Sequence, residues 1–274
     1  AEVQGEKPEI VSALKQHYLS VPEGDVPVAV ALADRLDTLV SFFGAGIRPT
    51  GSKDPFALRR AALGVLDMLV SGERRIALKP VLQAAGAKDA DDLIGFFADR
   101  LKVQQREAGV RHDLIDAVFA LGGEDDLVRL LARVKALQAF VETDDGKNLI
   151  AGYKRAANIL KAEEKKDGVA YALDLAALES PYIGETEKNL AAQFARAEGA
   201  SGVLLFDEVD ELLGREDFEG AMKRLALLRA PVDRFFEDVT VNDPDPAVRK
   251  RRLGLLAGIR DAMHRVADFS KLEG

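Results

Sequence analysis

Several residue types that carry specialised chemistry are absent from this chain of 274 residues or scarce in it. Cysteine is absent, which excludes disulfides, thiolate metal sites and cysteine nucleophiles. The three histidines, His17, His112 and His264, are scattered and form no HExxH motif, so we expect no metal site. The sequence has neither a run of about 18 apolar residues, as a membrane span requires, nor an N-terminal basic segment followed by an apolar one. We therefore expect a soluble, cytoplasmic protein.

The residues that are present favour helices. Charged residues make up 31% of the chain, aromatic residues only 6%, and tryptophan is absent. This composition, rich in Ala and Leu, is typical of helices packed on helices, and an alternating strand pattern is conceivable only at residues 203–206. The sequence therefore predicts an all-α fold. The formal net charge of -8 argues against a uniformly basic surface, but phosphate binding depends on where Lys and Arg cluster.

Apolar periodicity indicates where individual helices lie. A nearly continuous apolar pattern over residues 28–43 predicts a buried helix. A second helix, starting at Leu149, has a polar side on which four residues recur at intervals of three or four, namely Lys154, Asn158, Lys161 and Lys165. We interpret residues 143–148, "TDDGKN", as the turn before it, and residues 224–239 as a single helix. A weakly patterned stretch marks a candidate domain boundary near residue 85.

The stretch "GVLLFDEVDELLG" at residues 202–214 raises the question of a nucleotide-hydrolysing site. In a Walker B site a buried strand brings an Asp to bound Mg²⁺, and a following Glu polarises the attacking water. Asp207 and Glu208 occupy those positions in the pattern. The run over residues 180–215, in which "GETEKN" leads into "LLFDE", resembles the AAA-plus ATPases. The same stretch also fits an amphipathic helix, with apolar residues on one side and acidic residues on the other.

Two absences favour the helix. The chain lacks the GxxxxGK[ST] loop that would hold ATP phosphates, and its nearest match, "GIRPTGSK" at residues 46–53, has the Lys and the hydroxyl residue interchanged. The sequence also predicts no parallel sheet that could bury residues 203–206 and satisfy their backbone groups. We therefore expect residues 180–215 to form two helices, and Asp207 and Glu208 to bind nucleotide only under the alternative hypothesis.

Several long segments resemble one protein family. They include "VAVALADRLDTLVSFFGAGIRPTGSKDPFALRRAALGVL", "FFADRLKVQQREAGVRHDLIDAVFALGGEDDLVRLLARVKALQAF", "NLIAGYKRAANIL" and "APVDRFFEDVTVNDPDPAVRKRRLGLLAGIR". In this order they resemble the C-terminal part of the beta subunit of bacterial heterotetrameric glycyl-tRNA synthetase. The resemblance implies an HD-like helical domain fragment over residues 1–85 and an α-helical anticodon-binding-like domain over residues 86–274. The AAA-plus-like segment 180–215 lies inside the second of these.

The resemblance also implies a function. In that family the alpha subunit makes glycyl-adenylate, using ATP and Mg²⁺, and the beta subunit binds tRNA. We therefore expect this chain to be noncatalytic and without a cofactor of its own, with glycine tRNA, the alpha subunit and the rest of the beta subunit as partners. Binding tRNA requires cations for phosphates and exposed side chains for unpaired bases. The candidate residues in the matching segments are Arg100, Lys102, Arg106, Arg111, Lys154, Arg155 and Asn158.

Two other hypotheses stay open from the sequence. One is a nucleotide-binding protein that uses Asp207 and Glu208. The other is an engineered chimera, into which an AAA-plus segment has been grafted, that binds neither tRNA nor ATP. Independently of these, the basic clusters could be no more than solvated helix faces.

Overall fold

The computed structural model describes residues 4–174, 184–194 and 205–272. Within these ranges the chain forms thirteen α-helices, together with a π-helical turn at Asp67–Ser71 and a 3₁₀ turn at Phe269–Lys271. The α-helices are α1 (Pro8–Gln16), α2 (Asp25–Gly44), α3 (Leu58–Leu66), α4 (Leu78–Ala84), α5 (Ala90–Glu107), α6 (His112–Phe119), α7 (Leu127–Glu142), α8 (Asp144–Asp167), α9 (Glu185–Phe194), α10 (Leu205–Gly214), α11 (Phe218–Ala226), α12 (Arg229–Asp238) and α13 (Pro246–His264).

The described part of the chain contains no β-strand, and the predicted all-α fold is confirmed. Residues 205 and 206 of the "VLLF" stretch are helical, whereas residues 203 and 204 lie outside the described residues. Segment 180–215 contributes two helices to the described part, α9 and α10, as expected. None of the described helices is both long enough and apolar enough to cross a bilayer.

The chain divides into two compact units, and α2 is central to the first, which comprises Ala1–His112 and Gly123–Leu131. This helix packs against α1, α3 and α5. Its large buried side chains recur mostly every three or four residues and so form one apolar stripe, which includes Val28, Leu32, Leu36, Leu39, Val40 and Phe43. The buried helix expected over residues 28–43 is therefore confirmed.

The second unit comprises Asp113–Gly122 and Ala132–Gly274, and α13 runs through its core. The middle of this helix is buried on all sides, from Leu253 to Ile259, because α8 and α9 both pack against it. Gly258 allows close packing, since a Cβ atom there would lie 3.1 Å from the ring of Phe194 in α9. Helix α8 also packs against α11 and α12, so its free side is narrow and faces solvent.

Two local expectations are wrong. Residues 143–148 are not a turn: Thr143 is the N-cap of α8, its side chain accepting a hydrogen bond from the Gly146 amide at 3.0 Å. Residues 224–239 are not one helix, because α11 ends at Ala226 and α12 begins at Arg229. Pro231 explains the break, since in a continuous helix its ring would clash with the carbonyl of residue 227.

The division into compact units is a property of packing, and the chain passes from one unit to the other after His112, after Gly122 and within α7, between Leu131 and Ala132. The domain assignment, in contrast, comes from the family resemblance. It gives residues 1–85 to an HD-like domain fragment and residues 86–274 to an anticodon-binding-like domain, and it stays a prediction.

Candidate nucleic-acid interface

One side of α8 carries a row of basic and amide side chains, which we call the α8 basic face. It consists of Lys147, Lys154, Arg155, Asn158, Lys161 and Lys165, all exposed except the half-buried Lys154. The opposite side of the helix is buried through Leu149, Tyr153, Ala156 and Leu160. Within the described part of the chain, the four lysines of this face form no ion pair. Their charges are therefore available to an anionic partner.

Both ends of α8 and one close helix contact fix the direction of this face. Thr143 caps the N-terminus, and Gly168 ends the helix in the left-handed conformation, with φ 69°, that favours glycine. Gly152 faces α12, where a Cβ atom would lie only 2.6 Å from Cγ1 of Val232. This glycine lets the backbones of α8 and α12 approach each other closely.

Arg155 lies at the edge of the α8 basic face, above an aromatic ring. Its guanidinium carbon is 4.3 Å from the ring centroid of Phe236, which belongs to α12. Arg155 is exposed, whereas Phe236 is half-buried. The contact is a cation–π interaction that restrains an otherwise flexible side chain.

A partly buried polar contact joins α8 to the end of α13. The hydroxyl of Tyr153 is 2.8 Å from Nε2 of His264, and its ring packs against Phe269 at a centroid distance of 5.6 Å. Burial raises the pKa of Tyr153 to about 12. The phenol therefore stays neutral at physiological pH and acts as part of the core.

Three arginines of α13, in contrast, are each bound to carboxylates. Arg249 pairs with Glu163 and, at 2.6 Å, with Asp167, while the Tyr171 hydroxyl also donates to Asp167 at 2.6 Å. The hydrogen bond from Arg249 lowers the pKa of Glu163, and that from Tyr171 lowers the pKa of Asp167. These groups are therefore charged at neutral pH and connect the C-terminal turns of α8 to α13.

The other two arginines are arranged similarly. Arg252 donates to Glu187 of α9 at 2.6 Å and to Asp243 at 2.8 Å. Arg260 pairs with Glu164 at 3.1 Å and with its neighbour Asp261 at 2.9 Å. The sequence shows the basic run of residues 249–252, but not its partners, which lie up to 86 residues away in the chain.

The remaining candidate cations, Arg100, Lys102, Arg106 and Arg111, lie in the first unit on and just after α5. Arg100 is half-buried, with its guanidinium carbon 5.7 Å from the ring centroid of Phe96. Lys102 pairs with Asp99 at 3.2 Å. Arg106 is exposed in the last turn of α5, and Arg111 is exposed beyond it. Because the α8 basic face belongs to the second unit, the predicted residues are divided between the two units.

Asp207 and Glu208 lie in the first turn of α10. Asp207 is exposed, while Glu208 forms an ion pair with Arg224 of α11. A Walker B carboxylate projects from the end of a buried strand, and the described residues provide no such strand. In the same ranges no three His, Asp or Glu side chains are grouped so that they could hold a metal ion.

A cavity of about 780 Å³ lies between residues 169–174 and the first turns of α13. Lys250 and Arg251 line it, together with the paired Arg249 and Tyr171. Of the two cations in this lining that have no ion pair in the described residues, Lys250 is exposed and Arg251 is half-buried.

Comparison with known proteins relates the chain to the aminoacyl-tRNA synthetases. The family model "Glycyl-tRNA synthetase beta subunit" matches residues 1–120. A second model, "ATPase family associated with various cellular activities (AAA)", matches residues 152–241.

Among curated relatives, the glycine–tRNA ligase beta subunit of Rhodospirillum centenum is 50% identical over 283 residues, covering 97% of this chain and 38% of the relative. That of Phenylobacterium zucineum is 52% identical, covering 100% of this chain and 39% of the relative. That of Ruegeria sp. is 46% identical with the same coverage. Over nearly its whole length the chain is therefore homologous to part of the glycyl-tRNA synthetase beta subunits, and it spans about two fifths of the length of the curated relatives it matches.

Proposed function

We propose that this chain is a tRNA-binding part of a glycine–tRNA ligase beta subunit, which recognises the anticodon region and supports aminoacylation of glycine tRNA by an alpha subunit. In this proposal the chain performs no chemistry itself and needs no cofactor, because the alpha subunit uses ATP and Mg²⁺. The rest of the beta subunit and the alpha subunit are its protein partners, in the cytoplasm.

The observation that supports this proposal most strongly is the α8 basic face, within a chain about half identical to beta subunits. Its four lysines form no ion pair in the described part of the chain, so binding phosphates requires no internal ion pair to be broken. The face is long enough for several contacts, because Lys147 and Lys165 are 18 residues apart on one helix, or about 27 Å. An overall charge of -8 disfavours nonspecific binding elsewhere on the surface.

Nucleotide binding through Asp207 and Glu208 has one supporting observation, the match of residues 152–241 to the AAA model. The local geometry gives it no support, since both residues lie on α10 and Glu208 is paired with Arg224. The experiment described next therefore also measures whether ATP binds.

The proposal is tested by titrating glycine tRNA and a non-cognate tRNA with the chain over a range of salt concentrations, with and without ATP and Mg²⁺. We expect glycine tRNA to bind more tightly, ATP to have no effect, and log affinity to fall linearly with log salt. The slope should be about -0.7 to -0.9 per phosphate contacted. Binding that is absent at low salt, or independent of salt, would contradict the proposal. Thermal stabilisation by ATP that is lost in Asp207→Ala would favour the nucleotide-binding hypothesis.

A further inference from the structure

We propose that Arg155, held over Phe236, forms a stacking platform for one unpaired base of an RNA that runs along the α8 basic face. This inference rests on the proposed function, and it adds the residue that would distinguish a single-stranded loop from a duplex.

The geometry of the pair suits this role. The guanidinium carbon of Arg155 lies 4.3 Å from the ring centroid of Phe236, and Arg155 is exposed to solvent. A guanidinium group is planar and stacks on aromatic rings as well as on bases. Arg155 has no hydrogen bond or ion pair in the described part of the chain that would have to be broken first.

The platform is also preorganised. Gly152 of α8 packs tightly against Val232 of α12, where a Cβ atom would lie 2.6 Å from Cγ1, and Arg155 and Phe236 each lie about one turn further along their helices. The two backbones are therefore fixed relative to each other where the stack forms. A side chain that is already restrained loses less conformational freedom when a base binds.

The other arginines that lie over aromatic rings lack this combination. Arg100 is half-buried, and its guanidinium carbon is farther from its ring, at 5.7 Å from the centroid of Phe96. Arg48 and Arg265 lie 5.0 and 5.5 Å from ring centroids of Phe43 and Phe206, and each is also paired with an aspartate, Arg265 with Asp210 at 2.9 Å. Arg265 belongs to the same unit as Arg155, so it provides a matched control.

The test compares two RNAs, a hairpin with an unpaired loop carrying a single 2-aminopurine, and a blunt duplex of equal length. Arg155→Lys keeps the charge but removes the planar group, and Phe236→Leu keeps an apolar side chain but removes the ring. We expect each variant to bind the hairpin about fivefold or more weakly, with unchanged duplex affinity and unchanged salt slope. Binding by the original chain should quench the 2-aminopurine at the stacked position, and both variants should lose this quenching. Arg265→Lys should change neither affinity nor quenching.

The outcomes separate this inference from the proposed function. If the original chain binds neither RNA, the proposed function and the platform both fail. If it binds with the expected salt slope but Arg155→Lys retains full hairpin affinity and quenching, only the platform is wrong. If Arg155→Lys weakens hairpin and duplex equally, Arg155 contacts a phosphate and stacking is likewise overturned. Melting curves identify any Phe236→Leu effect that comes from unfolding, and Arg155→Lys provides the test without altering a buried side chain.

Discussion

Helices α8 and α13 pack against each other, yet their basic residues are used in opposite ways. On α13, Arg249, Arg252 and Arg260 are each bound to carboxylates supplied by other segments. On α8, the lysines of the basic face form no ion pair within the described part of the chain. The three arginines of α13 therefore connect different segments of the fold, whereas the lysines of the α8 basic face form no such connection in the described residues.

The difference shows that positive charge alone does not identify a binding surface in this molecule. A cation with a fixed internal partner is neutralised and constrained, while a cation without one retains its full potential toward an external anion. Changes to the three paired arginines of α13 should therefore affect stability and leave RNA affinity intact, and changes to the lysines of the α8 basic face should do the reverse.

The largest effect on stability is expected for Arg252→Ala. This change leaves Glu187, which is only 7% exposed, and Asp243 without their partner. An uncompensated buried carboxylate should lower the free energy of unfolding by about 3 kcal/mol, measured by urea denaturation. Lys250→Ala is the control on the same helix, and as an exposed change it should alter stability by less than about 0.5 kcal/mol. Equal effects of the two substitutions would refute a structural role for the Arg252 pairs.

A smaller loss is expected for Gly152→Ala, which tests how the α8 basic face is fixed. The new Cβ atom would overlap Cγ1 of Val232, so α8 and α12 must separate at a cost of about 1 to 2 kcal/mol. Adding Val232→Ala makes room for the methyl group. The double variant should therefore lose less stability than the sum of the two single changes, as measured in a double-mutant cycle by urea denaturation. Additive losses would mean that the two residues do not meet.

The smallest effect is expected from the proton on Tyr153, at alkaline pH. Burial raises its pKa from an ordinary value of 10.0 to about 12, so the folded state retains the proton at pH values where the unfolded chain loses it. The resulting stabilisation is complete below pH 10 and is lost as pH rises through about 12. Tyr153→Phe removes the hydrogen bond to His264, so the free energy of unfolding at neutral pH should fall by roughly 1 kcal/mol and the melting temperature should fall with it. Its melting temperature should fall less than that of the original chain between pH 9 and pH 11, roughly the interval in which the unfolded phenol titrates; an identical fall would show that Tyr153 does not titrate as described.

The all-α class and the principal helices could be predicted from the sequence, because an apolar stripe such as that of α2 directly reflects which side of a helix is buried. The ends of the helices could not be predicted as directly. Thr143 followed by two aspartates and a glycine resembles a turn, yet it is a helix cap, since both structures use the same residue types. The break before α12 could have been inferred from Pro231 alone.

The candidate interface was predictable only in part. Helical spacing placed Lys154, Asn158 and Lys161 on one side of α8, and the structure bears out that arrangement. The spacing could not reveal which cations are free, because the partners of Arg249 lie 82 and 86 residues away. The contact between Arg155 and Phe236 was unpredictable for the same reason, since it joins two helices that are distant in sequence.

The most direct test of the account is the salt dependence of glycine tRNA binding by the triple variant Lys147→Gln, Lys154→Gln and Lys161→Gln. We expect the variant to have the same melting temperature as the original chain, because none of the three lysines has an internal ion pair in the described residues. The slope of log affinity against log salt should become shallower by about 2 to 3, since each lost phosphate contact removes about 0.7 to 0.9. An unchanged slope and affinity in a folded variant would contradict the claim that the α8 basic face binds tRNA.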